Sequence, residues 1–177
     1  MPTIVNFGMP RSGTTYIAVA FEAIGIKYIP TDFMPTSQRH KTEDRTRTFE
    51  EVEGYIDELD RTKWHGLKIG EGTVFHPAKT IFSQTNFDFL MDICPKPIHI
   101  IRTYRIADRN WKSIKYISYQ DWTIEQAGAA MISECAGYWG IKNRYDVVSI
   151  DFDKIDDIAY LSRKLQFLPE HILSRYT

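Results

Sequence analysis

Cysteine is scarce in this chain: two among 177 residues, Cys94 and Cys135. Neither has a metal-ligand partner at two-residue spacing, so no zinc knuckle is built from them, and reduced, packed thiols are the expectation. An excess of one charge is also lacking. Lys and Arg total 22 against 23 Asp and Glu, a net charge of −1, which argues against a general nucleic-acid or membrane-surface binder. No apolar run approaches the roughly 20 residues of a membrane span. There is no internal repeat, low-complexity tract or interdomain linker. The first motif begins within ten residues of Met1, leaving no room for a signal peptide. These absences point to a cytoplasmic chain in which residues 1–177 form a single domain large enough for a real core.

What is present starts at once, in Thr3-Ile4-Val5-Asn6-Phe7-Gly8-Met9-Pro10-Arg11-Ser12-Gly13-Thr14-Thr15-Tyr16. It reads as a short buried strand, a tight loop with Gly8 and Gly13, and a helix. That order makes an anion site. Amides of the loop and first helical turn have no partner of their own, and the helix dipole favours negative charge there. The glycines let the backbone curl close to the anion. Arg11 adds a fixed cation with a planar donor fork, and Ser12, Thr14 and Thr15 add hydroxyls. The loop is almost a Walker A loop, G-x-x-x-x-G-K-[ST]. Gly8, Gly13 and Thr15 fit that spacing, but Thr14 stands where the lysine belongs and the cation has moved to Arg11.

This variant, Gly8-x-Pro10-Arg11-Ser12-Gly13-Thr14-Thr15, resembles the 5′-phosphosulfate loop of the sulfotransferases, which use 3′-phosphoadenosine 5′-phosphosulfate (PAPS) as sulfuryl donor. The resemblance implies a three-layer α/β/α fold with a five-stranded, mostly parallel sheet in the order 2-3-1-4-5, shared with P-loop kinases. It implies no metal. Members of the family that reside in the Golgi carry an N-terminal anchor, so this chain is similar to the soluble kind.

Taken in order, Ile4–Phe7 is the first strand and is apolar on both faces, as a central parallel strand should be. The next helix carries Ile17, Ala20, Phe21 and Ile24 on one face and ends at Gly25. Ile26–Ile29 is a second strand, closing a right-handed βαβ unit. Residues 30–60 form the candidate lid or acceptor region. A basic cluster, Arg39, His40, Lys41, Arg45 and Arg47, reads first as a solvated loop and second as a lid over phosphates. Thr48-x-x-Glu51 is a capping box, followed by a helix burying Phe49, Val52, Ile56 and Leu59. Trp64–Ile69 is a third strand. It ends in Lys68, at the edge where open α/β sheets bind ligands. Phe75–Cys94 holds two short helices, stopped by Pro95 and Pro97.

Ile98–Ile101 is the fourth strand, with Arg102 at its C-terminal end; His99 within it reads as a packed histidine. Thr123-x-x-Gln126 caps a long helix with Ala127, Met131, Cys135, Tyr138 and Trp139 as its apolar side. The aromatics Trp111, Tyr116, Tyr119 and Trp122 read first as core and second as the wall of an acceptor pocket. Asp146–Ile150 is the fifth strand, followed by Asp151-Phe152-Asp153 and a helix burying Ile158, Leu161, Leu165 and Leu168.

The resemblance also assigns roles. Arg11 and the loop hold the 5′-phosphosulfate, and Lys68 contacts the sulfuryl or bridging oxygen. The family ends its fourth strand in an arginine and places a serine eight residues later, both on the 3′-phosphate. Eight beyond Arg102 is Asn110, and eight beyond Arg105 is Ser113; both registers stay open, since Asn110 and Ser113 share a helix face. Arg105 and Arg109 otherwise read as a solvated helix face. The histidine that cytosolic members place two residues after the lysine is replaced by Gly70. Asp32, Glu71 and His76 are therefore the candidate bases for the acceptor proton. The late Arg-Lys-Gly-x-x-Gly-Asp-Trp segment of cytosolic members is absent. The expected partner is a small-molecule or glycan acceptor with a hydroxyl or amine, with no nucleic acid and no membrane. Two alternatives stay open. One is a P-loop nucleotide kinase or ATPase, with Thr15 and Asp151 on Mg²⁺. The other is a non-catalytic binding protein on the same fold.

Overall fold

The structure, a computed structural model, describes residues 2–8, 11–29, 49–68, 84–113, 123, 125 and 138–175. Five strands form one sheet: β1 (Thr3–Gly8), β2 (Lys27–Ile29), β3 (His65–Lys68), β4 (Ile98–Tyr104) and β5 (Val147–Asp151). Their order is 2-3-1-4-5, and every pairing is parallel. The helices are α1 (Thr14–Ala23), α2 (Phe49–Asp57), α3 (Gln84–Ile93), α4 (Ala107–Ser113), α5 (described over 138–142), α6 (Ile158–Lys164) and α7 (Glu170–Leu173). A 3₁₀ turn, Phe152–Lys154, joins β5 to α6.

Side-chain alternation along each strand sends apolar groups into two cores. Ile4, Ile101 and Ile150 pack with Ile17 and Phe21 of α1, Leu161 of α6 and Ile172 of α7. Val5, Phe7, Leu67 and Ile100 pack with Ile56 of α2, Phe87 and Leu90 of α3 and Ile141 of α5. β1 is central, and all six of its residues are buried. The sheet is thus covered on both faces, which is why its strands read as continuous apolar runs rather than alternating ones.

α1 ends in a Schellman motif. Gly25 is left-handed (φ 96°), its amide donates to Glu22 O at 3.0 Å, and the Ile26 amide donates to Phe21 O at 3.0 Å. A glycine is needed there because a Cβ crowds the left-handed region. Arg175 Nη1 donates to Ile24 O at 3.3 Å, satisfying another carbonyl of that helix end.

The fourth strand is longer than its apolar run implied. It continues through Arg102, Thr103 and Tyr104, because β1 and β5 flank it and supply ladder partners as far as Gly8↔Thr103 and Tyr104↔Asp151. Arg102 is therefore inside the strand, and Arg105 is the first residue beyond it. Cys94 is buried, and burial pushes its thiol up to about 12, so it stays protonated and inert.

His99 is a packed histidine. Its ring stacks on Phe167 at 4.4 Å and lies 5.7 Å from Trp64. Burial favours the neutral ring and lowers its pKa below the ordinary 6.5. A lowered histidine pKa means the unfolded chain binds the proton more readily. Stability should therefore be lost as pH falls from the unfolded value through the folded one. An NMR titration of the His99 ring should give a midpoint below 6.5; one above it would contradict this packing.

Candidate functional site

The C-terminal ends of β3, β1 and β4 are neighbours at one edge of the sheet. The loop after β1 turns twice through the left-handed region: Arg11 has φ 65° and Gly13 φ 97°. For arginine this is an unusual backbone conformation, found where surrounding structure imposes it. Successive turns of this kind aim amides into a common concavity, an anion nest. The first bond of α1 is from Ile17 N to Gly13 O at 3.0 Å. The amides of Thr14, Thr15 and Tyr16 thus precede the helical ladder.

Gly8, Ser12 and Gly13 each meet a neighbouring element. A Cβ on Gly8 would collide with Thr103 O and come within 2.5 Å of Ser12 Oγ, so this glycine lets the loop start flush against β4. Ser12 is fully buried, and its Oγ lies 3.4 Å from Thr103 Oγ1, which donates to Phe7 O at 3.5 Å. With the threonine proton on Phe7 O, the serine proton goes to Thr103. Ser12 thus fastens the loop to β4, with its proton turned away from the concavity. Gly13 is tighter still. A Cβ there would collide with the Phe152 ring, whose Cε2 would lie 2.7 Å away.

Two buried polar atoms at this edge have no hydrogen-bond partner among the described residues: Thr14 Oγ1 and Asn6 Oδ1. Such groups are costly unless a ligand or water meets them. Asn6, buried in β1, uses its Nδ2 to donate to Thr14 O at 3.0 Å, tying the strand to the start of α1 across the loop. Asn6 also pairs in register with Lys68 of β3. Gly66, two residues earlier, lies under the Tyr28 ring of the α1-side core, so Lys68 faces the α1 layer too. It is almost wholly buried, with 3% exposed.

Arg102 pairs with Phe7 of β1, but its guanidinium lies over the Tyr138 ring at 4.2 Å, and Tyr138 packs on the α2/α3/α5 core. Lys68 and Arg102 thus flank β1 at one sheet end on opposite faces. Arg105 is not a solvated helix residue: its Nε is 3.4 Å from Asp153 Oδ1, and its guanidinium sits 4.9 Å from the Phe152 ring centre. Arg109 Nη1 reaches the same oxygen at 3.1 Å, while remaining largely exposed. Asn110 is buried in α4, with its amide on Ile106 O at 3.0 Å, and Ser113 closes that helix.

Asp151 caps the turn that follows it. Its Oδ1 accepts from Asp153 N at 3.0 Å, and its own amide donates to the Tyr160 hydroxyl at 2.8 Å. Among the described residues, no group of three or more His, Cys, Asp or Glu is arranged to hold a metal ion, and no helix is long and apolar enough to cross a membrane. Pro10, Asp32, Glu71, His76 and the basic cluster at 39–47 lie outside the described residues. The motif did not single out Asn6, Thr103, Phe152 or Asp153. A polar residue inside an apolar strand was the available signal for Asn6; the others are distant in sequence and meet the loop only through the sheet.

No family profile matches the sequence, and no curated protein matches it. Solved structures do match. YorR from Bacillus subtilis, in complex with phosphorylated GDP, superposes with a TM-score of 0.57 at 8% identity, over 95% of this chain and 99% of that one. Mouse sulfotransferase SULT7A1, complexed with PAP, gives 0.55 at 13% identity, over 99% of this chain and 62% of that one. A sugar kinase from Janibacter sp. HTCC2649 gives 0.52 at 13%, over 97% and 98%. These likenesses establish a P-loop-like α/β fold, held in common by kinases and a sulfotransferase.

Gly13→Ala tests the loop geometry. Left-handed backbone alone costs about 1–2 kcal/mol for a residue with a Cβ, and the clash with Phe152 adds to it. Urea unfolding should show a loss of at least about 2 kcal/mol. A stability within ~0.5 kcal/mol of the parent protein would contradict the described turn.

Proposed function

We propose that this chain is a PAPS-dependent sulfotransferase that moves a sulfuryl group to an acceptor hydroxyl or amine. One observation carries the reading. The loop carries Arg11 and Gly13 on a left-handed backbone, which supports reading it as an anion nest with Arg11 as its cation, while the Walker lysine position is taken by Thr14, buried with a hydroxyl that has no partner among the described residues. That arrangement fits an anionic group at the nest and does not reproduce the lysine on which P-loop ATP binding relies.

In this reading the loop amides and Arg11 hold the 5′-phosphosulfate, and Lys68 steadies the bridging oxygen. The bond between sulfur and the phosphate oxygen breaks as the acceptor's oxygen or nitrogen bonds sulfur in line. The acceptor proton passes to Asp32, Glu71 or His76. Negative charge grows on the leaving oxygen, so catalysis rests on positioning and electrostatics. For the 3′-phosphate, the observed end of β4 favours the register Arg105 with Ser113, and Arg102 with Asn110 is the alternative. We further infer that residues 1–177 act as one cytoplasmic domain without a metal, that residues 30–60 contribute the lid or acceptor wall, and that the acceptor is a small molecule or glycan.

A second reading, phosphoryl transfer by a nucleotide kinase or ATPase, is favoured by Thr15 in the Walker Ser/Thr position and by an aspartate ending β5. It is weakened because Asp151 Oδ1 is engaged in capping its own turn. A non-catalytic binder is the remaining alternative. Transfer of labelled sulfate from PAPS across a panel of acceptors tests the proposal. A preorganised donor at such a site is worth ~3–4 kcal/mol, so Arg11→Ala should lower turnover by a factor on the order of 100 or more. Turnover close to that of the parent protein in this variant would sink the assignment.

A further inference from the structure

The turn after β5 touches the loop, α1 and the basic residues that follow β4. Phe152 fills the space a Gly13 side chain would need. Its ring meets the Tyr16 ring edge-on at 5.6 Å, one turn into α1. Its other contact is the Arg105 guanidinium, 4.9 Å from the ring centre. The next residue, Asp153, holds Arg105 and Arg109 together on one carboxylate oxygen. The turn itself is rigid: Asp151 Oδ1 caps the Asp153 amide, and the Tyr160 hydroxyl takes the Asp151 amide.

We propose that Phe152 is a positioning residue for anion binding: it holds Gly13 in the left-handed conformation the nest requires and sets the height of Arg105 beside it. The physical argument is steric and electrostatic together. A glycine pays the largest entropy to hold one backbone conformation, so Gly13 needs an external restraint. The flat ring resting on its Cα supplies that restraint. The same ring attracts the Arg105 guanidinium, 4.9 Å from its centre, so one side chain restrains both Gly13 and the first cation after β4. Phe152 itself touches no ligand in this scheme and acts through Gly13 and Arg105. The inference rests on the reading of the loop as a phosphate site and extends it to a residue far from the loop in sequence.

The test uses the full chain and calorimetric binding of adenosine 3′,5′-bisphosphate, run well below each variant's Tm. Phe152→Ala should bind at least tenfold more weakly, and Phe152→Tyr, which keeps the ring, should bind within about threefold of the parent protein. Phe152→Leu, which keeps bulk over Gly13 but loses the aromatic face, should fall between them and covers the case in which the alanine variant does not fold. Ile155→Ala is the structural control: Ile155 lies three residues on, packs in the α1-side core, and should lower Tm without moving affinity. Parent-like affinity in both Phe152→Ala and Phe152→Leu would overturn the proposal while leaving the phosphate-site reading intact. Affinity that merely tracks Tm across all four variants would also overturn it. No binding by the parent protein would remove the reading beneath it, and the proposal with it.

Discussion

The amides of Thr14, Thr15 and Tyr16 precede the hydrogen-bond ladder of α1, and the sheet edge around them is built to present that deficit to one small concavity. Gly8 presses against Thr103, Ser12 is fastened to the same threonine, Asn6 holds the Thr14 carbonyl, and Phe152 sits on Gly13. None of these contacts is a catalytic group. Their effect is geometric, since a nest works only when its amides converge. The left-handed Arg11 is where the strain of that convergence is stored, and Gly13 meets its left-handed turn without it. The buried Thr14 hydroxyl, without a partner among the described residues, is where a ligand would relieve the remaining polar deficit.

The central strands were legible because each is an apolar run bounded by a turn signal: Ile4–Phe7 before Gly8, Ile98–Ile101 after Pro97. The end of α1 was legible because Gly25 is the residue a left-handed C′ position needs. What escaped was the extension of β4 through Arg102, Thr103 and Tyr104. Its polar composition says turn, but ladder partners on both sides keep it extended. Arg102 therefore lies inside the strand and Arg105 is the first residue beyond it. The loop glycines were legible as glycines, but not what each one makes room for. Thr103 and Phe152 are 95 and 139 residues from Gly8 and Gly13, and only the strand order 2-3-1-4-5 brings them together. Arg105 was misread as solvated because its partners, Phe152 and Asp153, lie on another strand's turn.

The fold alone leaves the chemistry open, since a sugar kinase and a sulfotransferase superpose on it with similar TM-scores and one scaffold carries many reactions. Local chemistry supports the proposed sulfuryl-transfer reading over a kinase. A kinase loop places its lysine within the first helical turn and its metal-holding aspartate free at a strand end. Here threonine occupies the first position, and the Asp151 carboxylate is turned onto the backbone amide two residues ahead. The cation that remains in the loop is arginine, whose planar fork suits the oxygens of a phosphosulfate.

The most direct test of this account is a calorimetric comparison on the parent protein: adenosine 3′,5′-bisphosphate against ADP with Mg²⁺. The account predicts micromolar binding of the bisphosphate and little binding of ADP. The reverse preference would contradict it in favour of a phosphoryl-transfer enzyme, and binding of neither would leave a P-loop-like fold without the donor site argued for it.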